Sequence, residues 1–220
     1  SSFFTAFVFW AILKWEYHAD SPYADRWLVQ IAYMMGLSIG DHLLNLLTIP
    51  AIVLVYYFRK NSPTLRGGII AFIISCFLLG FVQVGLIQGV PILASKFEIL
   101  FVNSFGLPLN WGAIFFLIIL AALLSWLIIW SKKRGKHALH VGMLCIVFLL
   151  IGYSSYVCVL IRSNADTPID MTNPDDVMSL VSYLQRDQYG SQPILFGPDY
   201  DSKAESYKQG KALYKEIKKD

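Results

Sequence analysis

Apolar runs of membrane-crossing length, separated by short polar segments, organise this chain. A helix needs about 20 predominantly apolar residues to cross a hydrocarbon core roughly 30 Å thick. Residues 67–89, 111–130 and 138–161 each supply such a run, and 1–13 supplies a shorter one. Residues 27–58 are too long for one upright span, because a helix of that length reaches about 48 Å at 1.5 Å per residue. The stretch is either one strongly tilted helix or a hairpin with arms at 26–40 and 42–58. Each arm would then reach about 25 Å. We favour the hairpin, since Gly36 and Gly40 can relax the backbone near its turn.

Charge sets the expected orientation. The basic segments "RKNSPTLR", 59–66, and "SKKRGKH", 131–137, should both face the cytoplasm, and two spans separate them. The final span then runs outward, and everything from Arg162 onward lies on the outer face. With the hairpin, "KWEYHADSPYADR" lies inside and Asp41 and His42 lie at the outer end. The outer loop 90–110 has apolar helical spacing around Lys96 and Glu98, which predicts a helix along the interface. Beyond it the chain changes character. "TNPDDVMSLVSYLQRD" predicts a helix capped by Thr172 or Asn173, with Pro174, Asp175 and Asp176 in its first turn and Gly190 closing its end. "QPILFG", 192–197, predicts a short strand. The expected architecture is an all-α polytopic membrane bundle over 1–161, followed over 162–220 by the start of a soluble α/β extracytoplasmic region.

Composition agrees. The chain is 56% hydrophobic and 15% charged, against about 25% charged in soluble domains. Its net charge of +3 is gathered in loops rather than along a face, which argues against nucleic acid as a partner. Cys76, Cys145 and Cys158 lie in apolar runs without a Cys-x-x-Cys pair, and the histidine spacing offers no metal site. Walker, Rossmann and nucleophile-elbow patterns are absent. The opening "SSFFTAFVFWAILKW" lacks the features of a signal peptide and reads as the second part of a helix, so the chain is expected to be an excerpt.

The candidate chemistry lies where polar groups interrupt apolar sequence. "GLSIGDHLLN" places Asp41, His42 and Asn45 together, and ionisable groups at membrane depth usually face a cavity or a partner. His42 suits a phosphate or an acceptor hydroxyl. Asp41 suits a histidine, a cation or a base's role. The competing account is a polar staple between helices, or a turn at headgroup level. After the last span, Arg162, Asn164 and Asp166 would sit at the outer mouth of the bundle, where Arg162 is suited to a phosphate. Pairing at a membrane boundary accounts for the charges of "KWEYHADSPYADRW".

Several stretches resemble a family of large bacterial membrane proteins long catalogued as the DUF2723 group. They are "FWAILKWE", "ADRWLVQIAYMMGLSIGDHLLNLLTIPAIVLVYYFRK", "FEILFVNSFGLPLN" and "NADTPIDMTNPDDVMSLVSYLQRDQYGSQPILFGP". That family is related to a vertebrate transmembrane protein O-mannosyltransferase. The resemblance implies a GT-C glycosyltransferase, which moves a sugar from a polyprenyl-phosphate carrier to a protein or glycan acceptor outside the cytoplasm. It implies that Asp41, His42 and Asn45 line the sugar-phosphate site. Arg162 or a divalent cation would assist the leaving phosphate, and no other cofactor is called for. Family members carry an apolar residue at the position of Asp41, which gives His42 and Asn45 the greater weight. The acidic catalytic residue is expected upstream of Ser1, leaving residues 1–220 inactive alone. It also implies a bacterial inner membrane, with 162–220 on the periplasmic side. The alternatives from other classes are a transporter or flippase and a non-catalytic scaffold.

Overall fold

A computed structural model describes residues 2–165, 168 and 173–190, and within them the chain is all helical. Helix α1 (Ser2–Tyr17) and helix α2 (Asp25–Ile39) are joined by a run of turns at 18–24. The chain turns again at 40–42, passes through a 3₁₀ segment (Leu43–Thr48), and enters α3 (Ile49–Lys60) with Pro50 in the first turn, where its missing N–H costs nothing. Arg59, near the end of α3, meets Asp20, just before α2 begins. Helices α2 and α3 are therefore the two arms of a hairpin whose open ends lie together.

A continuous helical stretch of 41 residues, Leu65–Phe105, follows. It consists of α4 (Leu65–Gly80), a π-helical segment (Phe81–Gln88) and α5 (Gly89–Phe105). This differs from the expected span with an interfacial loop behind it. The span expected to end at 89 does not end there: the wide π turn absorbs the irregularity around Gly89 and Pro91, and the helix runs on. Pro91 has no N–H to give the carbonyl of Ile87 four residues back. The Tyr153 hydroxyl donates to that carbonyl instead, at 3.0 Å.

Gly106, in the left-handed conformation at φ 64°, ends α5 and turns the chain into α6 (Trp111–Lys133). Helices α5 and α6 run antiparallel, with Phe97 against Phe116 and Phe101 against Phe115. The carboxylate of Glu98, only 2% exposed, accepts the Asn110 N–H at 2.5 Å and the Ala113 N–H at 2.9 Å. It thus caps α6 from the neighbouring helix and stabilises the positive end of its dipole.

Helix α7 (His137–Tyr153) returns antiparallel to α6 and continues through a 3₁₀ turn into α8 (Val157–Ser163). It packs most extensively on α2, and the two run parallel. Their crossing is backbone on backbone. A Cβ on Gly36 would lie 2.1 Å from the Leu149 carbonyl oxygen, and one on Gly152 would lie 2.3 Å from that of Tyr33. Small residues at such a crossing let helices approach closely, the usual means of association in lipid.

Helix α9 (Val177–Gln185) docks on α5. It starts later than the sequence suggested, since Asp176 rather than Asn173 is its cap. The Asp176 carboxylate accepts the Ser179 N–H at 2.5 Å, and the Ser179 hydroxyl accepts the Asp176 N–H at 3.0 Å. This reciprocal box outcompetes the earlier candidate. The helix also stops earlier, at Arg186 in the left-handed region with φ 57°, not at Gly190. Thr172 and the strand expected at 192–197 lie outside the described residues.

Four stretches are long and apolar enough to cross a membrane: Leu43–Lys60, Leu65–Phe105, Trp111–Lys133 and His137–Ser163. Phe72, Ile73, Phe77, Leu117, Ile118 and Trp126 stand outward on them, as lipid-facing side chains do. The chain is a multi-pass membrane protein. Its core gathers Val8, Ile12 and Trp15 of α1, Ile31, Met35 and Ile39 of α2, then Leu46, Ile87, Leu149 and Tyr153.

Candidate functional site

The turn at 40–45 is built around Ser38. The buried Ser38 hydroxyl donates to the Met35 carbonyl at 2.7 Å, and its own carbonyl accepts the Asp41 and His42 N–H groups at 3.0 and 2.8 Å. Two successive donors on one carbonyl end α2 and tip the chain outward. His42 then takes an extended conformation and caps the 3₁₀ segment, its Nδ1 accepting the Leu44 N–H at 3.0 Å. That bond has a chemical consequence. A nitrogen that accepts carries no proton, so the neutral ring holds its hydrogen on Nε2. Asp41 and His42 are both exposed at this end of the bundle. The turn thus presents an N–H donor beside a carboxylate.

Asn45 plays a different part. It is 1% exposed, and its Nδ2 donates to the Ser38 hydroxyl at 3.0 Å, while its backbone carbonyl accepts the Thr48 hydroxyl at 2.7 Å. It ties the incoming arm to the outgoing one from beneath the turn. Its Oδ1 is buried and has no hydrogen-bond partner among the described residues.

Arg162 is exposed in α8 and Asn164 follows that helix. The Asn164 side-chain amide donates to the Leu160 carbonyl at 2.9 Å and to the Asp175 carbonyl at 2.8 Å. It fastens the end of α8 to the start of α9. Among the described residues, no hydrogen bond joins Arg162 or Asn164 to His42 or Asn45. Earlier in the chain, Ser155 comes close to the turn: a Cβ on Gly40 would lie 3.7 Å from its hydroxyl. Asp166 lies outside the described residues. Also among the described residues, no three His, Cys, Asp or Glu side chains gather into a set that could hold a metal ion.

The opposite end of the bundle collects charge. Arg59 donates to the Asp20 carboxylate at 2.6 Å, Lys60 reaches the Ala19 carbonyl at 3.4 Å, and His137 meets Asp25 at 2.5 Å. Asp20 of the α1–α2 connection and Asp25 at the start of α2 thus pair with residues at the end of α3 and the start of α7. Periodicity could not find these partners, because they lie roughly forty and more than a hundred residues away along the chain.

Against known proteins, residues 1–65 match the model of a family described as the Protein O-mannosyl-transferase TMEM260 N-terminal domain. That interval covers α1, α2, the turn and α3, and so includes Asp41, His42 and Asn45. The match supports a relation to O-mannosyltransferases of that kind. No curated protein and no solved structure matches the chain.

Proposed function

We infer that this chain is the donor-binding part of a GT-C-type membrane glycosyltransferase of the protein O-mannosyltransferase kind. The observation that carries this is the family match over residues 1–65, centred on a hairpin whose turn exposes an imidazole N–H. In this reading a sugar leaves a polyprenyl-phosphate donor at the outer face. The bond between its anomeric carbon and the phosphate oxygen breaks, its electron pair leaving with the polyprenyl phosphate, while the oxygen of a serine or threonine hydroxyl of the acceptor protein bonds to that carbon and its proton passes to a carboxylate base.

Each residue of the turn has a share suited to its geometry. His42 Nε2–H donates to a phosphate oxygen and stabilises the charge that grows there as the sugar departs. Asp41 stands beside it, placed to hold the ring or a sugar hydroxyl. Asn45 positions the turn from below through Ser38. Arg162 belongs to the outer mouth, where it adds positive potential.

The test uses membranes holding the protein at its full natural length, supplied with polyprenyl-phosphate mannose labelled in the sugar. Label is expected to appear in acceptor protein. Label that crosses the membrane while still attached to lipid would overturn this reading in favour of a flippase. Label that stays in place across a panel of lipid-linked sugars would leave the scaffold account standing instead.

A further inference from the structure

The two arms of the hairpin enclose space. A cavity of about 490 Å³ lies between α2, α3, the end of α4 with the π segment, and α7. Its size falls within the roughly 300–1,000 Å³ of ligand sites. Its walls are almost wholly apolar, with Leu28 and Met35 on one side, Ile52 and Val53 on another, and Met143 and Leu149 on a third. Polar groups line it at one end only, where Asp25 and His137 meet.

Three observations define what fits. The first is length. Along α7 the lining runs from His137 to Leu149, about 18 Å of helix. That is close to the roughly 15 Å depth of one leaflet, half the hydrocarbon core. Beyond Met35 and Leu149 the same faces pass into the packed core of Ile39, Leu46, Ile87 and Tyr153, which closes the cavity toward the turn. The second is access. Helix α4 contributes lining only from Leu78 onward, so the half nearer the charged end is walled by α2, α3 and α7 alone and opens sideways.

The third is charge. A basic residue follows the lining on each wall at the charged end. Arg26 adjoins Asp25 on α2, Arg59 and Lys60 lie one turn beyond Tyr56 on α3, and Lys136 precedes His137 on α7. Among the described residues, Asp25 is engaged by His137 and Asp20 by Arg59, which leaves the charge of Arg26, Lys60 and Lys136 for the phosphate.

We propose that this cavity holds one acyl chain of an anionic phospholipid from the surrounding membrane, with the lipid phosphate resting on the basic rim. The headgroup would lie at the opposite end from the His42 turn. The site is therefore separate from the donor site and does not depend on the transferase reading. A bound acyl chain would fill the space between the hairpin arms and hold them apart.

The experiment uses the full-length protein in nanodiscs with phosphatidylglycerol carrying a photoactivatable diazirine in one acyl chain, and phosphatidylcholine with the same chain beside it. Adducts are expected on peptides spanning residues 25–35, 49–56 or 138–149, with phosphatidylglycerol favoured by about fivefold for each basic side chain that meets the phosphate. Ile52→Trp and Met143→Trp should each block the adduct. The surface pair Arg26→Gln with Lys136→Gln, which leaves the packed core untouched, should cut the preference between the two lipids by about fivefold for each charge removed. Three outcomes would overturn the proposal: adducts spread over the outward faces of α4 and α6; equal labelling by both lipids in the unaltered protein; or labelling displaced by polyprenyl phosphate and not by excess phosphatidylglycerol, which would assign the cavity to the donor chain.

Discussion

His42 uses its two ring nitrogens for different ends, and this division governs what can be learned by replacing it. Nδ1 closes the 3₁₀ segment by accepting the Leu44 N–H, while Nε2 carries the only ring proton of the neutral form. An alanine would remove both at once. Two other side chains make sharper single-function tests. Tyr153 donates to the carbonyl that Pro91 leaves without a partner, so Tyr153→Phe removes that bond and nothing else. The variant should lose about 1–3 kcal/mol, the cost of a buried acceptor left unmade, read from thermal unfolding in detergent. Glu98 accepts two backbone N–H groups at the start of α6, and Glu98→Ala should cost a comparable 1–3 kcal/mol or so by the same measurement. The sequence singled out the polar positions Asp41, His42 and Asn45, but not what they do locally. Asn45 looked like part of a lining and lies beneath the turn instead, bonded to Ser38. An amphipathic pattern marks a residue as unusual and says nothing of its partner seven residues away.

At the scale of elements, the contact between α2 and α7 determines where the turn stands. Gly36 and Gly152 bring two backbones into direct contact, and no methyl group fits between them. Gly36→Ala should therefore separate the helices and destabilise the bundle by at least about 1–3 kcal/mol, the usual cost of overpacking. Gly142→Ala on the same helix α7 faces open space and should leave the melting temperature unchanged or slightly raised. Gly36 was legible as a special position, though for the wrong reason. Backbone freedom near a turn was the expectation, whereas close approach is what the packing requires. The helical runs themselves were legible wherever apolar length alone decides, as in α6 and α7. They were misjudged at Gly89 and Pro91, because a π segment tolerates irregularity that an ordinary helix does not, and a single sequence carries no mark of it. The late start of α9 has a similar cause. Thr172, Asn173 and Asp176 are all acceptable caps by type, and only the reciprocal bonds with Ser179 choose among them.

For the molecule as a whole, one short acidic connection gathers the charged end. Asp20 takes Arg59 from the last turn of α3, and Asp25 takes His137 from the start of α7. Both basic loops are thereby held at the same end, opposite the turn that bears His42. These pairs are exposed enough for water to screen them, and Asp20→Asn should change stability by no more than about 1 kcal/mol. Their value is positional, since they register the hairpin against α7. The charge pattern made the common side of the two loops legible, because two spans separate them. The near balance of the acidic connection hid its role as the shared partner.

The central claim is that the exposed turn meets the phosphate of the donor through His42 Nε2–H. The most direct measurement is the rate of mannose transfer by His42→Asn at full natural length, beside the unaltered protein. Asparagine is a good cap whose Oδ1 can accept the Leu44 N–H, while its remaining N–H donors, on Nδ2, lie nearer the backbone and do not reach the position of Nε2–H. The account predicts unchanged thermal unfolding with transfer reduced about a hundredfold or more, the scale seen when one charge-stabilising donor is lost. Transfer at the unaltered rate would contradict it and leave His42 as a helix cap alone.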